Sequence, residues 1–196
     1  MVWDELSQIA EGENQRDRDK RIGVFIGILA VILALSSMGG DNAVADASNK
    51  NIEAANTWAF FQAKNMRRHV LRMQTEELDL KLQAEPNMPE AAKAAITKTI
   101  AAYKDQDQKL TSDPATKEGL DQLWEKAKAL EAERDVALRR GPYFDTASAC
   151  LQIAIVLASV AIISGGSLLL GVSALLGVVG AVLTFNGFTL AVPLMG

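Results

Sequence analysis

Side chains able to do chemistry are few in this 196-residue chain, and they do not converge in sequence. Cys150 is the sole cysteine and His69 the sole histidine. A reactive thiolate needs a base or a cation beside it, and Cys150 sits in an apolar run without either. It reads as a small packing residue. One cysteine also excludes an intrachain disulfide. A metal site around His69 would need further ligands at fixed spacing, and none accompany it. The chain carries no C-x-x-C or H-x-x-x-H pair, no glycine loop in a strand-loop-helix context, and no paired acids in an apolar setting. We therefore expect no enzyme, no cofactor and no metal. The formal net charge of -4 gives no general attraction to nucleic acid. Two polar pairs, Glu53 with Thr57 and Gln62 with Arg67, could pass for site groups, but at helical spacing they read as helix hydrogen-bonding residues.

The elements that would position these residues belong to two solvents. Ile22–Met38 holds no charged residue and is about as long as a bilayer-spanning helix. Arg16, Arg18, Lys20 and Arg21 precede it, and Gly39-Gly40, expected to break or bend the helix at its exit, and Asp41 follow. Ala43-Val44-Ala45 has the small-x-small form of a signal-peptide cleavage site. The long acidic stretch ahead of the span, with Asp4, Glu5, Glu11 and Glu13, favours a retained anchor instead. A second charge-free region runs from Thr146 to Gly196. Gly165-Gly166 divides it, with Asp145 and Ser167 as expected helix caps. The predicted organisation is a cytoplasmic segment (1–21) and a first transmembrane helix (22–40). An extramembrane helical domain (41–145) follows, then transmembrane helices at 146–164 and 167–185 and a tail (186–196). Within the first segment, Trp3, Leu6 and Ile9 or Ala10 recur at helical spacing and suggest a short amphipathic turn.

Small residues mark the spans. Gly23 and Gly27 form a G-x-x-x-G pair, and Ser173, Gly177 and Ala181 repeat small-x-x-x-small, a spacing that lets helix backbones approach closely in lipid. These five are the expected helix-association residues, with Gly171 and Gly180 as further points of close approach. No Asp, Glu, Lys, Arg or His lies in any span, which argues against a proton relay, a charged-substrate transporter or a voltage sensor.

Between the spans the chain is charged and helical. No proline or glycine occurs from Val44 to Ala84, and a helix of that length would run roughly 60 Å. Ile52, Ala55, Ala59, Met66, Val70, Met73 and Leu80 predict its apolar stripe. Glu85–Glu90 breaks the pattern, with Asn87 as the expected cap of a second helix reaching about Leu110 and showing Ile96, Ile100 and Tyr103. Asp113 and Pro114 would start a third segment, with Leu120, Leu123 or Trp124, Ala127, Leu130 and Ala137 as its stripe, stopped by Gly141-Pro142. The chain must leave the membrane and return. Two shorter helices laid end to end against the long one satisfy that. The expected fold is therefore an all-α membrane protein: three transmembrane helices and a long antiparallel, coiled-coil-like hairpin. Trp58, Phe60 and Phe61 point to different sides of the long helix, so one side can pack inward and another can meet a subunit or partner.

Three stretches together resemble a bacterial membrane family known as domain of unknown function 4337. They are the apolar span after a basic cluster, the segment Asn51–Lys64 (NIEAANTWAFFQAK), and the block Leu151–Ser159 (LQIAIVLAS). The resemblance implies a shared fold and membrane placement and brings no activity with it. Many members of that family carry basic residues between the last two spans, where this chain has Ser164-Gly165-Gly166-Ser167.

Basic residues flanking the first span predict a cytoplasmic N-terminus and a periplasmic helical domain in a bacterial inner membrane. Arg139 and Arg140 argue the other way, but charges in long translocated domains bear little on orientation. The expected function is a non-enzymatic homo-oligomeric scaffold in contact with membrane lipids. The alternatives are an accessory subunit bound to other membrane proteins and, below it, a pore, which the mostly Ser, Thr and Gly polar content of the spans disfavours.

Overall fold

The computed structural model describes residues 2–193, with side chains described from Gln15 onward. The chain is all-helical. Its helices are α1 (Val2–Ala84), α2 (Glu90–Thr111), α3 (Leu120–Ser164) and α4 (Ser167–Thr189). Helices α1, α3 and α4 each contain a segment long and apolar enough to cross a membrane. Contacts divide the chain into two units. One comprises residues up to Ala47 together with those from Asp135 on, and the other comprises Ser48–Arg134.

In the first unit, parts of α1, α3 and α4 surround two small cores. Leu29, Leu151 and Ala154 are buried together, with Phe25, Ile32 and Leu176 packed against them. Tyr143, Ala147 and Leu183 form the other core, closed by Leu190. The helices are longer than the glycines and proline suggest. Gly39-Gly40 was expected to break the first span, yet α1 runs on through it. Gly39 faces the Phe144 ring and leaves room for it, and Gly40 lies against the Phe144 Cβ. Gly141-Pro142 was expected to stop the third segment, yet Pro142 lies inside α3. A proline there removes one backbone hydrogen bond. The next two residues, Tyr143 and Phe144, are fully buried, and this packing holds the helix across the defect. Asp145 consequently lies within α3 and caps nothing. At the α3–α4 turn Gly165 takes φ +69°, where an L side chain is strained, and the N-cap of α4 is Gly166 rather than Ser167. Helix α4 continues to Thr189, past the expected end at 185.

The second unit holds residues 48–84 of α1, all of α2, and α3 up to Arg134. Residue numbers rise along α1 as they fall along its partners: Lys50 pairs with Glu133 (2.7 Å), Trp58 with Glu131 (2.8 Å), Arg72 with Asp107 (2.9 Å) and Asp79 with Lys104 (3.8 Å). Leu120, Leu123, Ala127 and Leu130 are buried, and so is Ile100 of α2. The stripes expected on the second and third segments thus face inward. The stripe expected on α1 does not: Ile52, Ala55, Ala59, Met66, Val70, Met73 and Leu80 are all exposed. Its inward face is Ala54, Thr57 and Thr75, with Trp58, Phe61, Lys64, Arg68 and Leu71 half-buried among them. The breaks also differ in detail. Pro89, not Asn87, is the N-cap of α2, without a side-chain cap. Asp113 caps a turn and not a helix, its carboxylate accepting the Ala115 and Thr116 N–H groups at 3.2 Å and the Thr116 hydroxyl at 2.8 Å.

Candidate functional site

The most developed feature of the first unit is the contact layer that α4 presents. A run of apolar residues makes α4 a helix, and its small and polar residues recur on one side. That side is Ser173, Gly177, Gly180, Leu183, Thr184, Asn186 and Gly187, all buried. A Cβ at Gly177 would lie 2.7 Å from Leu29 Cδ2, one at Gly180 would lie 2.6 Å from Leu151 Cγ, and one at Gly187 would lie 2.9 Å from the Phe144 ring. Only hydrogen fits at these three positions, so the backbones approach closely. Each buried hydroxyl finds a partner, as an apolar setting demands. Ser173 Oγ donates to the Ala154 carbonyl at 2.6 Å, Ser36 Oγ to the Phe144 carbonyl at 3.2 Å, and Thr184 Oγ1 to the Gly180 carbonyl at 2.8 Å. Asn186 ties down the segment just after α4, accepting Val192 N–H at 2.9 Å and donating to its carbonyl at 2.8 Å.

The association residues expected from sequence fall into two groups. Ser173 and Gly177 lie in this layer, and Ala181 at its half-buried edge. Gly23 and Gly27 face outward on α1 and have nothing within 4 Å of a Cβ built on them. The row in α4 runs 173, 177, 180, 184, 187, so Gly180, expected as a point of close approach, takes the place that a strict four-residue spacing gave to Ala181, Gly187 extends the row, and Gly171 has open space. Phe144, which Gly39, Gly40 and Gly187 surround and Phe188 meets edge-on at 4.9 Å, was missed. The glycine pair in α1 was its only trace in sequence.

At one end of this unit the Arg18 guanidinium donates to the Gly165 carbonyl at 3.1 Å, which brings the basic cluster to the α3–α4 turn. Beside it lies an open groove of about 330 Å³, lined by Arg18, Arg21, Ile22, Phe25, Leu170 and Ala174. Cations at its edge and apolar walls suit a lipid headgroup and its chain.

In the second unit the aromatic motif is divided. Trp58 Nε1 donates to Glu131 Oε1, and the Trp58 and Phe61 rings meet edge-on at 5.4 Å. Lys128 stands 5.6 Å from the Trp58 ring and also bonds Glu131 at 2.8 Å. Lys128 and then Trp58 hold the Glu131 carboxyl below its ordinary range. Trp58 and Phe61 are therefore engaged within the chain. Of the three expected contact aromatics, only Phe60 is left exposed, with Lys64 over its ring at 4.9 Å. Farther along, Asp107 accepts a two-pronged bond from Arg72 (2.9 and 3.1 Å), with Arg68 at 3.4 Å. Arg72 chiefly lowers the Asp107 pKa, and Asp107 raises that of Arg72.

Among the described residues, no group of three or more His, Cys, Asp or Glu side chains is placed to hold a metal. His69 lies on the exposed side of α1, and Cys150 is half-buried in α3. The arrangement supplies packing surfaces and paired charges. No curated protein and no solved structure is similar to this chain. Residues 18–190 match the family described as a domain of unknown function (DUF4337), and the chain belongs to that family.

Proposed function

We propose that this protein is a non-enzymatic integral membrane scaffold that assembles with itself. Three spans would anchor it in a bacterial inner membrane, and residues 41–145 would form an antiparallel helical hairpin outside the lipid. The observation that carries this reading is where the apolar side chains point. Only 22–28 % of each candidate span's apolar window is buried within the chain, so most of that surface needs an apolar solvent. The groups turned inward are instead glycine, alanine and hydroxyls with partners, the composition that packs helices in lipid.

Orientation follows from the charges. Arg18 reaches the Gly165 carbonyl, which puts the basic cluster and the α3–α4 turn at one end of the bundle. That end is cytoplasmic on the positive-inside rule, which makes the domain reached by α1 periplasmic. The antiparallel pairs between α1 and both α2 and α3 support the hairpin.

The test is alkaline extraction of membranes, followed by the native mass of the gently solubilised complex with its proteins identified. Retention in the membrane and a multimer of this chain alone are expected. Release by alkali overturns the membrane reading. A defined complex with other proteins replaces the scaffold by an accessory subunit.

A further inference from the structure

The face of α1 that points away from its neighbours in the second unit is more apolar than the face it packs. Ile52, Met66, Met73 and Leu80 are 55, 64, 57 and 63 % exposed, and Val70 is exposed beside them. Single exposed apolar residues are ordinary. Here they form a row: Ile52, Ala59, Met66, Met73 and Leu80 recur every seventh residue along an unbroken helix. An open groove of about 420 Å³ runs beside the row, lined by Val70, Met73, Gln74, Glu76, Glu77 and Leu80.

We propose that a second copy of this chain covers this row, pairing in parallel and in register as a two-stranded coiled coil over residues 52–80. A strict seven-residue repeat drifts by about 20° per heptad on a straight helix. It stays on one line only when two such helices supercoil, so the best-matched partner is a helix with the same repeat over the same length. A second copy has both.

Charge sets the direction. In register and parallel, Glu76 of one copy stands five residues from Lys81 of the other, the spacing of the flanking ion pairs of a coiled coil, and symmetry makes the pair twice. Gln62, three residues past Ala59, meets Arg67 of the other copy at the same spacing. Glu76 interacts with Arg72 one turn earlier without a contact within 4 Å among the described residues, and Lys81 has no ion-pair partner within 4 Å among them. With the row at one seam position, Asn56, Ala63, Val70 and Glu77 take the other, so the two Glu77 carboxylates face each other in the seam, with Lys81 one turn on to offset part of their repulsion. Reversed pairing centred on Met66 would set Glu76 and Glu77 against Asn56 and Ala55 and lose the Lys81 contacts. The parallel direction rests on the membrane reading above, in which every copy has one topology.

Disulfide trapping in native membranes tests this. On a Cys150→Ser background, Ile52→Cys and Met73→Cys are each oxidised mildly, with Lys98→Cys on the exposed side of α2 as control. Same-position dimers at 52 and at 73, at least tenfold above the control, are expected. Dimers no more frequent than the control overturn the proposal, as do crosslinks that form only when Ala59→Cys and Met73→Cys chains are mixed, or crosslinks to a different protein. Met66→Lys combined with Met73→Lys should lower the yield at Ile52→Cys tenfold while helix content is kept. An unchanged yield also overturns it. Alkaline extraction reads the membrane placement separately, so a chain washed off the membrane overturns that reading alone while the trapping pattern still decides the pairing.

Discussion

Gly177 of α4 faces Leu29 of α1 so closely that a Cβ there would lie 2.7 Å from Leu29 Cδ2. The same Cβ would lie 3.6 Å from Phe25 Cζ, so a second side chain walls the site. Gly177→Leu should therefore destabilise the helix packing by about 1–3 kcal/mol or more, the usual cost of overfilling a packed site. Gly27 has open space at the same test, and Gly27→Leu should leave the fold of a single chain unchanged. Thermal unfolding in detergent separates the two. Equal losses would mean that the α1–α4 contact is not the one described.

What could be read from the sequence follows from which interactions leave a mark in hydropathy. The helices, the breaks near residues 85–90 and 112–119, and the three apolar segments are all visible as runs and interruptions of apolar residues. The inward stripes of α2 and α3 were legible because they are made of Leu, Ile and Ala. The face of α1 was misjudged because its inward side carries Lys64 and Arg68, whose stems pack while their charges pair with Glu118 and Asp107. Hydropathy places such residues outside. The expected breaks at Gly39-Gly40 and at Pro142 rested on local propensity, which the burial of Tyr143 and Phe144 overrides. The α4 seam was half legible, since alternation of three- and four-residue steps puts Gly180 and not Ala181 on the packed side.

Ser173 is fully buried and donates to the Ala154 carbonyl. That carbonyl already belongs to a helix, so the hydroxyl adds a bond between helices rather than completing one. Ser173→Ala should cost about 0.6 kcal/mol, the average for such bonds in membrane proteins, and leave the backbone unchanged. Ser173→Val should cost more, because the added volume meets α3. A chemical-denaturation series in detergent measures both, and a larger loss for alanine than for valine would contradict the close approach.

Asp107 links α2 to α1 through Arg72 and Arg68. Arg72 depresses its folded pKa below the ordinary carboxylate value, so the folded state binds this proton less readily than the unfolded state does. Its contribution is therefore complete above the unfolded value, about pH 4, and is lost as pH falls through the lower folded value. Asp107→Asn should lower the melting temperature by a few degrees at pH 7 and by less at pH 3. An Asn variant whose deficit is the same at both pH values would show that the ion pair contributes nothing.

Phe144 is the point at which α1, α3 and α4 meet. A Cβ at Gly39 would lie 2.5 Å from its ring and one at Gly187 2.9 Å, so glycines close on it from two helices. Gly39→Ala alone should destabilise by about 1–3 kcal/mol, because the ring cannot swing away from α1 without meeting Gly187. Phe144→Leu alone should also destabilise, by loss of packed volume and of the edge-on contact with Phe188. Combined, the two changes relieve each other, since the smaller side chain leaves space for the new methyl group. The double variant should be more stable than the sum of the single losses requires, with a coupling of about 1 kcal/mol. Strict additivity in that cycle would mean that Gly39 and Phe144 do not touch.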